Sequence, residues 1–186
     1  MSLETVFCAS GDCFLNKMLP EHPDGPFKAL IDIIGQADVR ITNLETTVHR
    51  QEGYPAAASG GTWAIADPSV LSVLKQYNFN LVSWANNHTL DYSHGGLLAT
   101  AKALDEAAFI HAGAGENLAA ASAPRYLECS GSRVAFLAAC STYTEGSNAG
   151  EQRSDSIGRP GVNPLRYKIV YSVSSEQLRV LQDIAD

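Results

Sequence analysis

The stretch "FNLVSWANN", residues 79–87, is an apolar run that ends in two adjacent amides. The run is too short for a helix and is bounded by turn residues, so we predict a buried strand. The next residues, "HTLDYSHGG" at 88–96, add two imidazoles and a carboxylate. A polar turn with Asp91 as a helix cap explains one such strand end. A metal or phosphate site is the alternative.

The same pattern recurs on both sides of this stretch. Strand-like runs precede it as "TVFCASG" at 5–11 and "ADVRITNLE" at 37–45, and "FIHAGAG" follows at 109–115. Helical patterns separate the runs, and they cover residues 26–36, 67–78 and 96–108. This alternation predicts an α/β fold in which helices cover both faces of a parallel sheet.

The pattern changes after residue 115. Two strand-like runs within 124–141 flank Ser130-Gly131-Ser132, which predicts a hairpin and an antiparallel edge of the sheet. Residues 142–166 are polar and show no period, and a loop of this length is usually functional or mobile. "YKIVYSV" at 167–173 predicts a strand, and Ser174 or Ser175 is expected to cap a final helix.

Composition excludes some classes of protein. The 186 residues carry a net charge of −7 and no run of Lys and Arg, which argues against a nucleic-acid partner. No basic segment followed by an apolar one opens the chain, and the uncharged stretch 53–66 is too rich in Gly, Ala and Ser for a membrane span. We therefore expect a cytoplasmic protein as the sequence stands, with cell-envelope association if a leader has been removed.

The carboxyl ends of the predicted strands carry the ligand chemistry. Ligands of open α/β sheets bind outside these ends, where Asp12, Glu45 and Asn87-His88 are expected to meet. Alternation places Asn43 on the same side of its strand as Glu45. Two carboxylates in a cleft repel each other unless one is protonated or a cation bridges them. Oxygen and imidazole ligands suit Mn²⁺, Fe²⁺, Zn²⁺ or Mg²⁺, so we predict a divalent metal site.

Four blocks of sequence resemble a known family, and they are "SGDCFL", "ITNLETTV", "VSWANNHTLDYSHGGLLATAKALDEA" and "HAGAGENLAAA". They look like the bacterial capsule synthesis (poly-γ-glutamate synthesis, CapA-type) proteins of the calcineurin-like metallophosphoesterase superfamily. The resemblance implies a four-layer αββα sandwich, with residues 1–186 as the N-terminal part of one domain. It also implies a metal-dependent hydrolase that acts on a phosphate ester or a related anion and uses one or two divalent ions.

The resemblance also assigns roles to individual residues. Asp12, Glu45 and Asn87 match the metal ligands, and His88 matches the imidazole that faces the phosphate. Asp91 is expected to orient His88, since a carboxylate commonly fixes the tautomer of a catalytic imidazole. Asn43 is expected, with His88, to contact the substrate.

Three departures from the superfamily pattern motivate an alternative hypothesis. Phe14 stands where the first motif places a His two positions after its Asp, Thr89 stands where an acidic residue follows the Asn-His pair, and the chain has no Gly-His-x-His block. The alternative is a non-catalytic accessory protein of capsular or poly-γ-glutamate polymer synthesis and export. Expected partners are a phosphorylated or anionic small molecule or polymer, and capsule-synthesis proteins. A third hypothesis, a dinucleotide site at "GAGENL", lacks the third glycine of that motif.

Overall fold

The computed structural model describes residues 4–20, 24–59, 61–129 and 131–185. The strands in chain order are β1 (Phe7–Cys13), β2 (Val39–Leu44), β3 (Thr47–Val48), β4 (Ile65–Ala66), β5 (Leu81–Ser83), β6 (Ile110–Ala112), β7 (Ala114–Gly115), β8 (Arg125–Cys129), β9 (Ser132–Phe136) and β10 (Gly161–Val162). The helices are α1 (Gly25–Gly35), α2 (Val70–Gln76), α3 (Ser93–Glu106), α4 (Leu118–Ser122) and α5 (Ser175–Ala185).

A four-stranded sheet with the order β1-β2-β5-β6 forms the centre of the fold. All three neighbouring pairs are parallel. The helices α1, α2 and α3 lie in the connections between successive strands of this sheet. The predicted mixed α/β fold with a parallel sheet is therefore confirmed.

A bulge in β1 sets the position of Asp12. Ala9 pairs with Ile41 and Asp12 pairs with Asn43, so β1 places one extra residue opposite β2. Gly11 lies in this irregularity with φ +76, a conformation that glycine adopts without steric cost. Since side chains alternate between the two faces of a strand, the extra residue changes the face on which Asp12 lies.

The core lies under α2 and α3. The α2 side chains Val70, Leu71, Val73 and Leu74 are buried, and Leu97 and Leu104 of α3 are fully covered. By contrast, α1 has Ile34 as its buried residue, and Phe27, Leu30 and Ile33 of the same helix are exposed. The helical cover is therefore incomplete beside β1.

Several predicted elements differ in the structure. The predicted antiparallel edge is wrong, because β8 and β9 pair with each other as a separate two-stranded sheet. Ser130, in the predicted hairpin turn, lies outside the described residues. The predicted strand 109–115 is two strands, since Gly113 turns the chain with φ +107 between β6 and β7. The loop 142–166 contains β10, which pairs with β7.

The end of the chain gives one wrong and one confirmed prediction. Residues 167–173 are not a strand, because a strand needs a hydrogen-bonded neighbour and this segment is exposed instead. The cap of the last helix is confirmed as Ser174, whose Oγ accepts from the Gln177 amide at 3.1 Å. Within the described part of the chain, no helix is both long and apolar enough to cross a membrane.

Candidate functional site

The carboxyl ends of β1 and β2 bring two carboxylates together. Asp12 and Asn43 are paired in the register of the sheet, and Glu45 follows directly after β2. The Asn43 side-chain amide donates to Asp12 Oδ1 at 2.9 Å and to Glu45 Oε2 at 2.7 Å. One amide thus holds both acids. Alternation along β2 explains this arrangement, because Thr42 and Leu44 turn into the core while Asn43 and Glu45 share the other side.

The two acids hold their protons with different strength. Hydrogen bonds from Asn43 and then from Glu45 lower the pKa of Asp12. Burial raises the pKa of Glu45, and the hydrogen bond with Asp12 and the charge of Asp12 raise it further, while the charge of His88 opposes the rise. The two carboxyl groups therefore differ in acidity, with the pKa of Asp12 lowered and the pKa of Glu45 raised.

Asn86 connects this acidic pair to the loop after β5. Its Oδ1 accepts from the His88 backbone amide at 3.0 Å, so its Nδ2 is the donor on the other side. That Nδ2 donates to Asn43 Oδ1 at 3.1 Å and to the Leu44 carbonyl at 2.8 Å. The orientation of the Asn43 amide is thereby fixed, with its NH₂ group toward Asp12 and Glu45. Sequence analysis assigned no role to Asn86, although its place at a strand end beside Asn87 was a signal.

His88 is buried and has an acidic partner. Its Nδ1 lies 2.7 Å from Oδ2 of Asp91, which also accepts from the Ala64 amide at 2.7 Å. Asp91 is 1% exposed, and its Oδ1 has no hydrogen-bond partner among the described residues. Because Asp91 occupies Nδ1, the Nε2 atom of His88 is the ring nitrogen that remains for a ligand.

Phe14 lies beside His88. Their ring centroids are 5.7 Å apart with an interplanar angle of 81°, an edge-to-face contact. The contact puts position 14, where the resemblance led us to expect a His, next to the candidate site. An aromatic ring at this point packs against the imidazole but supplies no metal ligand.

Asn87 lines a cavity of about 570 Å³ together with Ser59 and the segment 142–144. The structure thus brings Asp12, Asn43, Glu45, Asn86, His88 and Asp91 into one hydrogen-bonded or charge-coupled group. Asn87 follows Asn86 directly and faces this cavity. The roles predicted for these residues stay predictions.

The side chains at this edge of the sheet can be compared with the ligands that a divalent cation prefers. Two carboxylates hydrogen-bonded to one amide group fit a cation, because a cation offsets the repulsion between their charges. Within residues 4–20, 24–59, 61–129 and 131–185, no group of three or more His, Cys, Asp or Glu side chains could hold a metal ion. A cation at Asp12 and Glu45 would therefore need amide or water oxygens to complete its coordination.

Gly115 of "GAGENL" has a packing role. A Cβ on Gly115 would lie 2.7 Å from the Ala121 amide, so glycine permits the close approach of β7 to α4. Asn117 caps α4 by accepting from the Ala120 amide at 2.9 Å. His111 on β6 lies 3.0 Å from Asp105 and packs edge-on against Trp84, as expected for a hydrogen-bonded core residue.

Fold and site together define a mixed α/β protein with acids, amides and an imidazole at the carboxyl edge of a parallel sheet. The model of the bacterial capsule synthesis protein family PGA_cap matches residues 6–185. The chain belongs to this family.

Curated relatives agree with this assignment. Two uncharacterized proteins of Sinorhizobium fredii (strain NBRC 101917 / NGR234), y4sH and y4uA, are each 35% identical over 181 residues, 96% of this chain and 39% of the relative. The capsule biosynthesis protein CapA of Bacillus anthracis is 32% identical over 92 residues, 50% of this chain and 22% of the relative. The chain thus spans about two fifths of the length of the first two relatives.

Proposed function

We propose that the chain is part of a metal-dependent phosphoesterase-like protein that acts on a phosphate ester or a related anion in capsule synthesis. One observation carries the proposal: Asp12 and Glu45, from neighbouring strand ends, are hydrogen-bonded to the same Asn43 amide within a group that includes His88. Carboxylates are brought together at such an edge where a cation offsets their repulsion. The four-layer αββα arrangement is part of the same proposal.

Each residue has a task in this proposal. Asp12, Glu45 and Asn87 would hold the ion, which when bound supplies Lewis-acid stabilisation and lowers the pKa of water. Asn43 holds the two carboxylates in place through its NH₂ group. His88 presents Nε2 to the anion and, with both ring nitrogens protonated, would donate a hydrogen bond or a proton there, while Oδ2 of Asp91 accepts from Nδ1.

A test measures metal binding and hydrolysis separately. Titration calorimetry with Mn²⁺, Zn²⁺ and Mg²⁺ is run on the native-length protein and on this chain, together with a screen of phosphomonoesters and phosphodiesters. Asp12→Asn and Glu45→Gln are expected to weaken metal binding, whereas His88→Ala is expected to reduce hydrolysis with metal affinity retained. Absence of divalent-ion binding in the native-length protein would overturn the proposal.

One observation favours a second function, a non-catalytic accessory protein of capsular polymer synthesis and export. Phe14 packs against His88 at the position where the superfamily motif has a His. A site with one ligand fewer retains the scaffold and binds metal more weakly. Metal binding without turnover of any ester, unchanged in His88→Ala, would support this second function and exclude the first.

A further inference from the structure

A polar cavity that the proposed reaction does not use lies on the loop after the hairpin. Its volume is about 400 Å³, and its lining includes three arginines, Arg153, Arg159 and Arg166. The whole chain has 13 Lys and Arg against 20 Asp and Glu. These three arginines are spread over 14 residues of sequence without forming a basic run, and the fold brings them to one cavity.

Hydrogen bonds hold the backbone around Arg159 in place. The Gly150 amide donates to the Arg159 carbonyl at 2.9 Å, and the Ala149 amide donates to the Val162 carbonyl at 2.9 Å. Val162 is fully buried. Backbone hydrogen bonds therefore join the two segments 147–150 and 158–162. A binding site on such a support needs little ordering when a ligand arrives.

The guanidinium groups retain donors that protein atoms do not use. Arg159 donates from Nε and Nη2 to the Asn148 carbonyl, at 3.1 and 3.0 Å, which leaves its other N–H groups for a ligand. Arg153 pairs with Asp155 at 3.1 Å. For Arg166, the described residues provide no hydrogen bond or ion pair.

The balance of charge in the cavity is positive. Glu151 is the acidic residue of its lining, against three arginines, and Asp155 is already engaged by Arg153. A guanidinium group offers parallel N–H donors that match the two oxygens of a carboxylate or phosphate. Because the protein as a whole is negatively charged, the attraction for an anion at this cavity comes from the nearby arginines and not from the net charge of the protein.

We propose that Arg153, Arg159 and Arg166 form a binding site for an oxyanion, a carboxylate or phosphate group of an anionic ligand. The site is separate from the acidic pair at the strand ends and does not rest on the proposed reaction.

The arginine site lies on the same loop as the Asn87 cavity. Thr144 lines that cavity and also a neighbouring one of about 280 Å³ that reaches Ser147, while Asn148 lines the arginine cavity. A ligand with several anionic groups thus has polar surface along this loop.

Titration of the ¹⁵N-labelled native-length protein with inorganic phosphate, and separately with a short glutamate oligomer, tests the proposal. We expect chemical-shift changes at residues 148–166 for at least one of the two anions, and weaker binding at high salt. Tighter binding of the oligomer assigns a polycarboxylate ligand, and tighter binding of phosphate assigns a phosphate ligand.

Matched variants separate a site from a general charge effect. Arg166→Gln and Arg153→Gln are each expected to lower the affinity about tenfold, the scale of one charge-assisted hydrogen bond. Arg179→Gln, which removes an exposed arginine of α5, is expected to leave the affinity unchanged. The proposal is overturned if neither anion binds at millimolar concentration, or if Arg179→Gln weakens binding as much as Arg166→Gln. Metal binding by Arg166→Gln at the wild-type level shows that the two sites are independent.

Discussion

The Asn86 side chain donates to Oδ1 of Asn43 across 3.1 Å and so joins the loop after β5 to the end of β2. The bond determines which way the Asn43 amide faces. If that amide were reversed, its oxygen would point at Asp12 and Glu45 and repel both. The geometry of the acidic pair therefore depends on a residue that touches neither acid.

Asn86→Asp is the sharpest test of this dependence. The change keeps an acceptor for the His88 amide but places a carboxylate oxygen against Asn43 Oδ1 and the Leu44 carbonyl. We expect a loss of about 1–3 kcal/mol in the free energy of unfolding, the cost of unsatisfied buried polar groups. Urea denaturation measures it. Asn16→Asp, the same change at an exposed position, is the control, and equal losses in the two variants would refute the role of Asn86.

Position 14 offers a gain-of-ligand test of the proposed metal site. Phe14→His places an imidazole beside His88, where the phenyl ring now packs. We expect affinity for Mn²⁺ or Zn²⁺ to rise at least about tenfold, by comparison with the effect of outer-shell partners. Calorimetry with Phe14→Leu as the control isolates the ligand from the loss of the ring. Unchanged affinity in Phe14→His would mean that position 14 does not reach the ion.

The pH dependence of stability follows from Glu45. Its raised pKa means that the folded protein binds this proton more tightly than the unfolded chain. The resulting stability is full below the ordinary pKa of 4.5 and is lost as the pH rises through the raised pKa. Asp12 has a lowered pKa and acts in the opposite sense, contributing stability above its ordinary value of 3.8 that is lost as the pH falls. Above pH 4.5 the contribution of Asp12 to stability no longer changes, so the change in stability with pH there comes from Glu45.

Glu45→Gln should therefore become more stable than wild type as the pH rises, in the presence of a metal chelator. The difference is expected to stay below about 1 kcal/mol, because the site is partly exposed and solvent screens the repulsion. Thermal unfolding across the pH range measures it. Under the proposed function, saturating Mn²⁺ reverses the order, since wild type then gains the ion as a bound ligand. A pH-independent difference would contradict the raised pKa of Glu45.

Two adjacent leucines of α3 test the packing beneath the site. Leu97 is fully buried, whereas Leu98 is 45% exposed. Leu97→Ala is expected to cost about 2–5 kcal/mol in unfolding free energy through lost burial and a residual cavity. Leu98→Ala should cost well under half as much. Similar losses for both variants would show that α3 does not face the core in this way.

The central strands and main helices could be predicted because each has a strong local signal. β2 and β5 come from short β-branched or apolar runs between turn residues, and α1 has Pro26 in its first turn. The segment 167–173 has an equally good strand pattern but no partner, and pairing is a property of tertiary structure that a local pattern does not contain. The split at Gly113 was missed for a related reason, since its positive φ depends on packing against Ala85 and Ala138.

The candidate site divides in a similar way. Alternation along "ITNLE" was enough to place Asn43 and Glu45 on one side of β2. The role of Asn86 depends on hydrogen bonds to residues more than 40 positions away, and no sequence spacing encodes them. The convergence of Arg153, Arg159 and Arg166 likewise depends on the pairing of β10 with β7.

The extra residue at Gly11 has a consequence for how this strand tolerates change. Side chains of a strand alternate between its two faces, and the inserted residue shifts this alternation between the apolar first half of β1 and its acidic end. Point substitutions leave that offset intact. A one-residue deletion between Ala9 and Asp12 would restore regular alternation and turn the Asp12 carboxylate to the opposite face of the sheet. The number of residues in this strand is therefore more constrained than their identity.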